Sequence, residues 1–201
     1  CDVRGLDSFA DIQALTFRSL LRDGDVGTAL LDDGLLQPVE GDLIQAPLGG
    51  ARLDMELEVE NTGATPFSFT AALHTYLKVR EVEALRIEGL RGLEYIDSAD
   101  GDTLKKETGV GVMVDDEIDR IYHQAPATIL VREDDRAMGI HAENFPDVVV
   151  WNPWVDKCAK LADMPADGFR RMLCVEAAAV REPIELAPGA DWWGRQSLVA
   201  M

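Results

Sequence analysis

Cysteines and basic side chains are scarce in this chain of 201 residues. Only three cysteines are present, Cys1, Cys158 and Cys174, and none forms a CxxC pair. This usage gives no zinc-finger signature and favours a reducing compartment over a disulfide-bonded secreted domain. Lysine and arginine total 19 against 37 aspartate and glutamate residues, which gives a net charge of −18. Such an acidic chain is poorly suited to nucleic acid or to an anionic membrane surface, so we expect neither partner.

Long apolar runs are also missing. No stretch approaches the ~18 uninterrupted apolar residues that a membrane-spanning helix requires, and no apolar segment follows a basic start. We therefore expect no membrane anchor and no secretory signal, and we place the protein in the cytoplasm. At this length, with 47% hydrophobic residues, the chain is expected to form a single domain over residues 1–201 and to be a monomer.

The first fifty residues differ in character from the rest. Ser8–Leu21 has apolar side chains at helical spacing and a serine at its start, which predicts a helix. Residues 23–50 are rich in glycine and aspartate and show only weak hydrophobic patterning. We therefore treat residues 1–50 as an atypical N-terminal segment of the domain.

From residue 52 onward the pattern is that of β-structure. Leu53–Glu60 alternates apolar and acidic side chains, as a half-buried strand does. A second strand is predicted over Phe67–Val79, with one apolar face and one polar face that includes His74. Turn residues separate further candidates. These are 84–87, 92–96, 109–114, 118–123, 128–131, 137–141, 148–151, 172–180 and 193–200, with one helix at 155–161. Many short strands at such spacing predict an antiparallel β-sandwich or barrel.

Two residues are candidates for proton transfer. Glu176 is a single carboxylate inside the apolar run Met172–Val180. Burial would raise its pKa and make it a better base near neutrality, although an ion pair with a distant arginine is the structural alternative. His74 shares its predicted strand face with Thr70 and Tyr76, which can orient an imidazole or a ligand hydroxyl. Simple packing is the alternative for this histidine.

Weaker candidates lie elsewhere. Asp119 and Arg120 form either a solvated ion pair or a carboxylate that accepts hydrogen bonds from ligand hydroxyls, and Asp97 is a similar case. The segment Trp151–Trp154, sequence WNPW, offers an indole face for a ligand ring or, alternatively, an anchored turn after a strand. The two remaining histidines show no partner pattern and are interpreted as structural or surface residues; they are His123 and His141.

Six stretches in this order resemble the hexose-6-phosphate mutarotases, the glucose-6-phosphate 1-epimerase branch of the aldose 1-epimerase superfamily. They are FSFTAALHTYLKV, GLRGLEYID, DEIDRIY, VVVWNPWVDKCAKLADM, RMLCVEAA and LAPG, and they span roughly residues 52–200. The resemblance implies a galactose-mutarotase-like antiparallel β-sandwich that binds a sugar or sugar phosphate on a concave sheet face. It also implies interconversion of the α and β anomers of a hexose 6-phosphate without a metal or organic cofactor, because only protons move.

The resemblance also assigns residue roles. His74 corresponds to the family's general acid, Glu176 to its general base, and Asp119 to a carboxylate that binds substrate hydroxyls. In the implied reaction, Glu176 takes the proton of the anomeric hydroxyl while His74 protonates the ring oxygen. The ring opens to the aldehyde, the C1–C2 bond rotates, and closure gives the other anomer.

The N-terminal part departs from the family pattern. An HGFAR-like motif, with arginines that hold the phosphate in the family, is absent from residues 1–50. No phosphate ligand is therefore carried over, and the sequence offers only weak substitutes, which are Lys78, Arg80, Arg86 and Lys157. Beside an active mutarotase, four alternatives stay open. These are a fragment that lacks N-terminal strands, a divergent member that uses another sugar, an inactive homologue, and a non-catalytic carbohydrate-binding β-sandwich.

Overall fold

The structure, a computed structural model, describes residues 52–162 and 164–201 in full, and the backbone of two earlier strands. These two strands, β1 (Val26–Leu30) and β2 (Leu36–Glu40), pair with each other in antiparallel orientation. Neither was predicted, since the hydrophobic patterning of this region is weak. The helix predicted over Ser8–Leu21 lies outside the described residues.

The chain divides into two compact units, Cys1–Gly49 and Gly50–Met201. The division falls where the sequence changes from an irregular pattern to an alternating one. The assignment of all 201 residues to one domain stays a prediction. All three residues to which the resemblance assigns roles belong to the second unit.

The described part of the second unit contains two antiparallel sheets. Its strands are β3 (Arg52–Glu60), β4 (Phe67–Leu73), β5 (Tyr76–Lys78), β6 (Arg86–Glu88), β7 (Glu94–Asp97), β8 (Thr103–Lys106), β9 (Ile118–Tyr122), β10 (Thr128–Arg132), β11 (Ala137–Glu143), β12 (Asp147–Asn152), β13 (Met172–Leu186) and β14 (Asp191–Ala200). A five-stranded sheet has the order β3-β14-β11-β10-β6. A seven-stranded sheet has the order β4-β13-β12-β9-β7-β8, with β5 also paired to β13. The predicted antiparallel β-sandwich is confirmed.

Helical structure is short in the described residues. The α-helix α1 covers Trp154–Cys158, so it begins one residue before the helix predicted at 155–161 and ends three residues before that helix does. Three 3-10 helices complete this set, at Val82–Ala84, Ser98–Asp100 and Gly168–Arg171. None of the helices in the part of the chain that the structure describes is long and apolar enough to cross a membrane.

The main core lies between the two sheets. The seven-stranded sheet contributes fully buried side chains such as Val150, Leu173 and Val175, and the five-stranded sheet contributes Ile87 and Ile129. Burying each such aliphatic side chain stabilises the fold by about 1.5–3 kcal/mol. Because side chains alternate along β13, the residues next to Leu173 and Val175 on this strand point to the other face of the sheet. Glu176 is one of them.

Two strand predictions are wrong. The single strand Phe67–Val79 is broken at His74 and Thr75, so that β4 and β5 pair separately with β13. The segment 109–114 forms no strand, and Val112 makes only an isolated bridge to Ile87. Glycine weakens strands because it adds conformational entropy and no packing side chain, and two glycines fall within this segment.

Strand β13 is longer than predicted. It continues beyond Val180 to Leu186 and includes Pro183. Proline cannot donate a ladder hydrogen bond, and the register of β13 against β4 shifts between Ala179 and Ile184, around this residue. The irregularity lies several residues beyond Glu176. At Glu176 itself, the pairing of β13 with β12 is regular.

Candidate active site

A break in one edge of the seven-stranded sheet places His74 beside Glu176. Strand β4 pairs with β13 as far as Ala177, and β5 resumes the pairing at Cys174. The break therefore lies opposite Glu176 and Val175, and His74 is its first residue. Nδ1 of His74 lies 3.0 Å from Oε1 of Glu176. The structure thus brings together the two proton-transfer candidates of the sequence.

The carboxyl group of Glu176 is almost enclosed, with a side-chain exposure of 5%. Burial, together with the negative charge of Asp119, raises its pKa to about 8. Burial has this effect because the ionised form loses more hydration than the neutral form. At neutral pH the group is therefore mostly protonated, yet it can accept a proton once it ionises.

The imidazole of His74 is partly enclosed and remains accessible, with a side-chain exposure of 47%. Its ring stacks on Tyr76 at a centroid distance of 4.9 Å and lies nearly perpendicular to the ring of Trp151 at a centroid distance of 6.1 Å. Loss of hydration in these surroundings lowers the pKa of His74 below its usual value of 6.5. The ring is therefore largely neutral at pH 7, and one of its nitrogens can act as an acceptor.

Asp119 borders the same face of the sheet. Across the ladder, Asp119 on β9 pairs with Trp151 on β12, and Trp151 pairs with Cys174 on β13. Directly paired residues point to the same face, and so do residues two apart on one strand, which places Asp119 on the face of Glu176. Burial raises the pKa of Asp119, while Lys157, whose Nζ lies 4.0 Å from Oδ2, opposes that rise.

The break that carries His74 is held by a residue of the five-stranded sheet. Gln196 on β14 is fully buried, and its Nε2 donates to the carbonyl of Val175 at 3.0 Å. The hydroxyl of Thr75 donates to Oε1 of the same amide. A buried amide left unpaired costs about 1–3 kcal/mol, so these bonds favour one position of Thr75 and of the histidine beside it. Nothing in the sequence pattern marks Gln196 for this role.

This fold and this face of the sheet can be compared with known proteins. The family model of aldose 1-epimerase matches residues 44–198. The chain belongs to this family. The resemblance seen in the six motifs is thereby confirmed, and an aldose 1-epimerase is an isomerase.

Individual relatives extend the comparison. A candidate glucose-6-phosphate 1-epimerase of Cenchrus ciliaris is 35% identical over 184 residues, which cover 84% of this chain and 56% of the relative. One of Escherichia coli is 29% identical over 130 residues, covering 63% of this chain and 43% of the relative. A solved candidate mutarotase of Salmonella typhimurium has a TM-score of 0.66 at 25% identity, covering 73% of this chain and 50% of that one. The chain spans about half the length of the curated relatives it matches.

The WNPW segment has two separate roles in this family member. Trp151 lies beside His74 on the site face, where an indole can meet a ligand ring. The amide of Asn152 is fully buried and donates to the carbonyls of Phe169 and Met172 at 2.8 Å each. Trp154 packs on Phe169 at 5.0 Å. One tryptophan therefore borders the candidate site and the other anchors the turn, while contact between Trp151 and a ligand ring stays a prediction.

Asp97 and Arg120 lie on the face opposite Glu176. They are cross-strand neighbours on β7 and β9, and Arg120 alternates with Asp119 along β9. Lys105 Nζ contacts Asp97 at 2.8 Å, and the guanidinium of Arg120 lies 4.9 Å from the ring centre of Tyr95. These contacts assign both residues to an ion-pair and packing network rather than to the site face.

The remaining histidines have their own partners. His123 is buried, with Nδ1 3.3 Å from Oδ1 of Asp147. His141 lies on β11 of the five-stranded sheet, where its Nδ1 is 2.9 Å from the hydroxyl of Thr128. Both contacts fit the structural interpretation made from the sequence.

Three of the four possible phosphate-binding cations are paired with carboxylates. Arg80 contacts Asp135 at 2.6 Å, Arg86 contacts Glu88 at 2.5 Å, and Lys157 contacts Glu117 at 2.6 Å. Lys78 makes no ion pair with the residues that the structure describes in this unit. It lies two positions after Tyr76 on β5, so its side chain leaves the strand on the same face as the tyrosine that stacks on His74.

Proposed function

We propose that the protein interconverts the α and β anomers of an aldohexose 6-phosphate, with Glu176 as general base and His74 as general acid. One observation carries the proposal, the 3.0 Å contact between a half-exposed imidazole and a buried carboxyl group. Membership of the aldose 1-epimerase family supports the reaction class. The names of the relatives support the 6-phosphate.

The positions of the two groups support the following reaction. Glu176 takes the proton of the anomeric hydroxyl, and His74 delivers a proton to the ring oxygen through Nε2, the nitrogen that is not directed at Glu176. The ring opens, rotation about C1–C2 presents the other face of the aldehyde, and the reverse transfers close it. Asp119, on the same face, accepts hydrogen bonds from sugar hydroxyls. Only protons move, so the proposed reaction uses no organic cofactor.

The pH dependence follows from the proton that the pair shares. Above about pH 8 Glu176 has lost its proton, and below the lowered pKa of His74 both groups hold one. Catalysis needs an ionised Glu176 and a protonated His74. This form is the minor tautomer of the singly protonated pair that exists between these limits, and it arises by proton transfer across the 3.0 Å contact. We expect a bell-shaped profile of kcat/KM with its alkaline limb near pH 8 and its acidic limb below 6.5. A rate that keeps rising well above the alkaline limit would contradict this scheme.

The proposal is tested by NMR magnetisation transfer between the anomers of glucose 6-phosphate and, in parallel, of glucose. We expect the protein to accelerate exchange of the 6-phosphate more than that of the free sugar. A non-catalytic carbohydrate-binding module would bind sugar and leave both exchange rates unchanged. A well-folded protein that accelerates neither exchange would contradict the proposed activity.

Lys78 allows the phosphate to be tested separately. A charge-assisted hydrogen bond contributes about 1.5–3 kcal/mol, less where it is exposed, so Lys78→Gln is expected to raise KM for glucose 6-phosphate by about 10-fold. The same variant should leave the rate with glucose unchanged. Arg80→Gln is the matched control, because Arg80 already pairs with Asp135. Equal effects of the two variants would remove Lys78 from the phosphate site.

We also propose a ligand class, an oligomeric state and a cellular location for the protein. The ligand is a small sugar or sugar phosphate, and the protein is expected to be a monomer in the cytoplasm. Its net charge of −18 disfavours nucleic acid and anionic membranes as partners. Size-exclusion chromatography with light scattering would check the monomer.

A further inference from the structure

A cysteine completes a group of metal-binding side chains around the proposed acid and base. His74, Cys174 and Glu176 each offer one ligand atom, and these atoms lie within 4.8 Å of one another. Cys174 precedes Glu176 by two positions on β13, so both side chains lie on the same face. The proposed reaction makes no use of Cys174, which is fully buried.

The spacing of this group is close to that of a tetrahedral metal site. Zinc binds nitrogen, sulfur and oxygen ligands at about 2.0–2.3 Å, which places neighbouring ligand atoms roughly 3–4 Å apart. His74 Nδ1 and Glu176 Oε1 are already 3.0 Å apart, and the widest gap in the group would close by about 1 Å. Three protein ligands with an open fourth position form the usual zinc site that keeps a water. The half-exposed ring of His74 leaves the group accessible from solvent.

Charge and ligand type select the kind of ion. Asp119 adds a second carboxylate to this face of the sheet, and the chain as a whole carries a net charge of −18. Both favour a cation, although Lys157 near Asp119 offsets part of the local field. A sulfur ligand beside an imidazole favours Zn²⁺ and similar ions over Mg²⁺ or Ca²⁺, which prefer oxygen ligands.

We propose that His74, Cys174 and Glu176 bind a thiophilic divalent cation of the zinc type, and that the bound ion blocks the acid–base pair. The binding itself follows from the geometry of the three side chains. The blocking rests on the proposed function, since a metal bound to His74 and Glu176 occupies the groups that would transfer protons. The ion is thus an inhibitor of the mutarotase reaction and takes no part in it.

Binding is tested on the full chain after chelation, with Co²⁺ as the spectroscopic probe of a zinc site. We expect a near-ultraviolet thiolate-to-cobalt charge-transfer band that saturates at one ion per chain, and displacement of the cobalt by Zn²⁺. The band should disappear in Cys174→Ala and persist in the control Cys158→Ala, whose thiol is also buried. No saturable band in the wild type, or a band that survives in Cys174→Ala, would overturn the site.

A second variant guards against misfolding of Cys174→Ala. His74→Ala removes a half-exposed ligand at a strand break. Changes even outside the ligand shell cost 10–100-fold in metal affinity, so we expect Zn²⁺ affinity, measured by calorimetry, to fall at least about 100-fold. Unchanged affinity in a folded His74→Ala protein would overturn the site even where Cys174→Ala cannot be studied.

The inhibition is measured separately from the binding. Zn²⁺ should slow anomer exchange by the wild type in competition with the sugar, and chelation should restore the rate. In Cys174→Ala, the same fractional inhibition, relative to the metal-free rate of that variant, should require at least about 100-fold more Zn²⁺. Cobalt binding in a chain without exchange activity would uphold the metal site and count against the proposed function. Metal binding without inhibition of an active chain would overturn the overlap of the two sites.

Discussion

Replacing Glu176 by glutamine is expected to slow catalysed anomer exchange of glucose 6-phosphate by about 10²- to 10⁴-fold, the usual contribution of a general acid or base. The amide keeps the shape of the side chain and can still hydrogen-bond to Nδ1 of His74, 3.0 Å away in the native site. It cannot accept the proton of the anomeric hydroxyl. The measurement is NMR magnetisation transfer in a buffer that contains a metal chelator. Saturating sugar gives kcat, and low sugar gives kcat/KM.

The chain supplies a matched control for this variant. Glu185→Gln makes the same chemical change on the same strand, at an exposed position, and should leave the exchange rate unchanged. His74→Ala should slow the catalysed anomer exchange by a similar factor. The double variant should be little slower than either single one, because the two groups act as one unit. Full exchange activity in both single variants would exclude this pair as the catalytic groups.

Strand alternation predicted most of the sandwich but not the break at His74. The break spans two residues, and an even number of residues leaves the inward and outward phase of the flanking strands unchanged. The apolar face of Phe67–Val79 therefore has the same pattern whether the strand is continuous or interrupted. Alternation also misled at 109–114, because Val112 and Val114 are buried without belonging to a strand. Hydrophobic patterns report burial, whereas pairing depends on a partner strand far away in sequence.

The candidate site could be predicted in part. Glu176 stands out because a carboxylate interrupts an apolar run, and His74 because of the polar face around it. For Asp119 the residues alone left two alternatives open, since an acid–base dipeptide is usually a surface feature, and only the family resemblance favoured the binding role. Gln196 and Cys174 carry no signal in the sequence. The contacts of Gln196 form only when the two sheets pack together, and the neighbours of Cys174 are set by the pairing of β13 with β5. Local sequence patterns do not reveal contacts of this kind.

The substitution that removes the base is also expected to stabilise the fold at alkaline pH. The pKa of Glu176 is about 8 in the folded protein against 4.5 for an unperturbed group. Between these values the folded state keeps a proton that the unfolded state has lost, so the free energy of unfolding falls as pH rises. Each pKa unit corresponds to about 1.4 kcal/mol, which sets an upper limit of roughly 5 kcal/mol on the loss above pH 8. Glutamine does not ionise, so Glu176→Gln avoids this loss.

Urea unfolding of wild type and Glu176→Gln at about pH 5 and about pH 9 tests the sign and size of the effect. The difference in unfolding free energy should be small at the acidic value and favour the variant by roughly 2–5 kcal/mol at the alkaline one. Glu185→Gln, whose carboxyl is exposed, should show little change between the two. Equal differences at both pH values would mean that the folded protein does not raise the pKa of Glu176. A variant that gains stability while it loses catalysis would also show that unfolding is not the cause of its inactivity. It would show as well that the burial which suits Glu176 for proton transfer is unfavourable for folding.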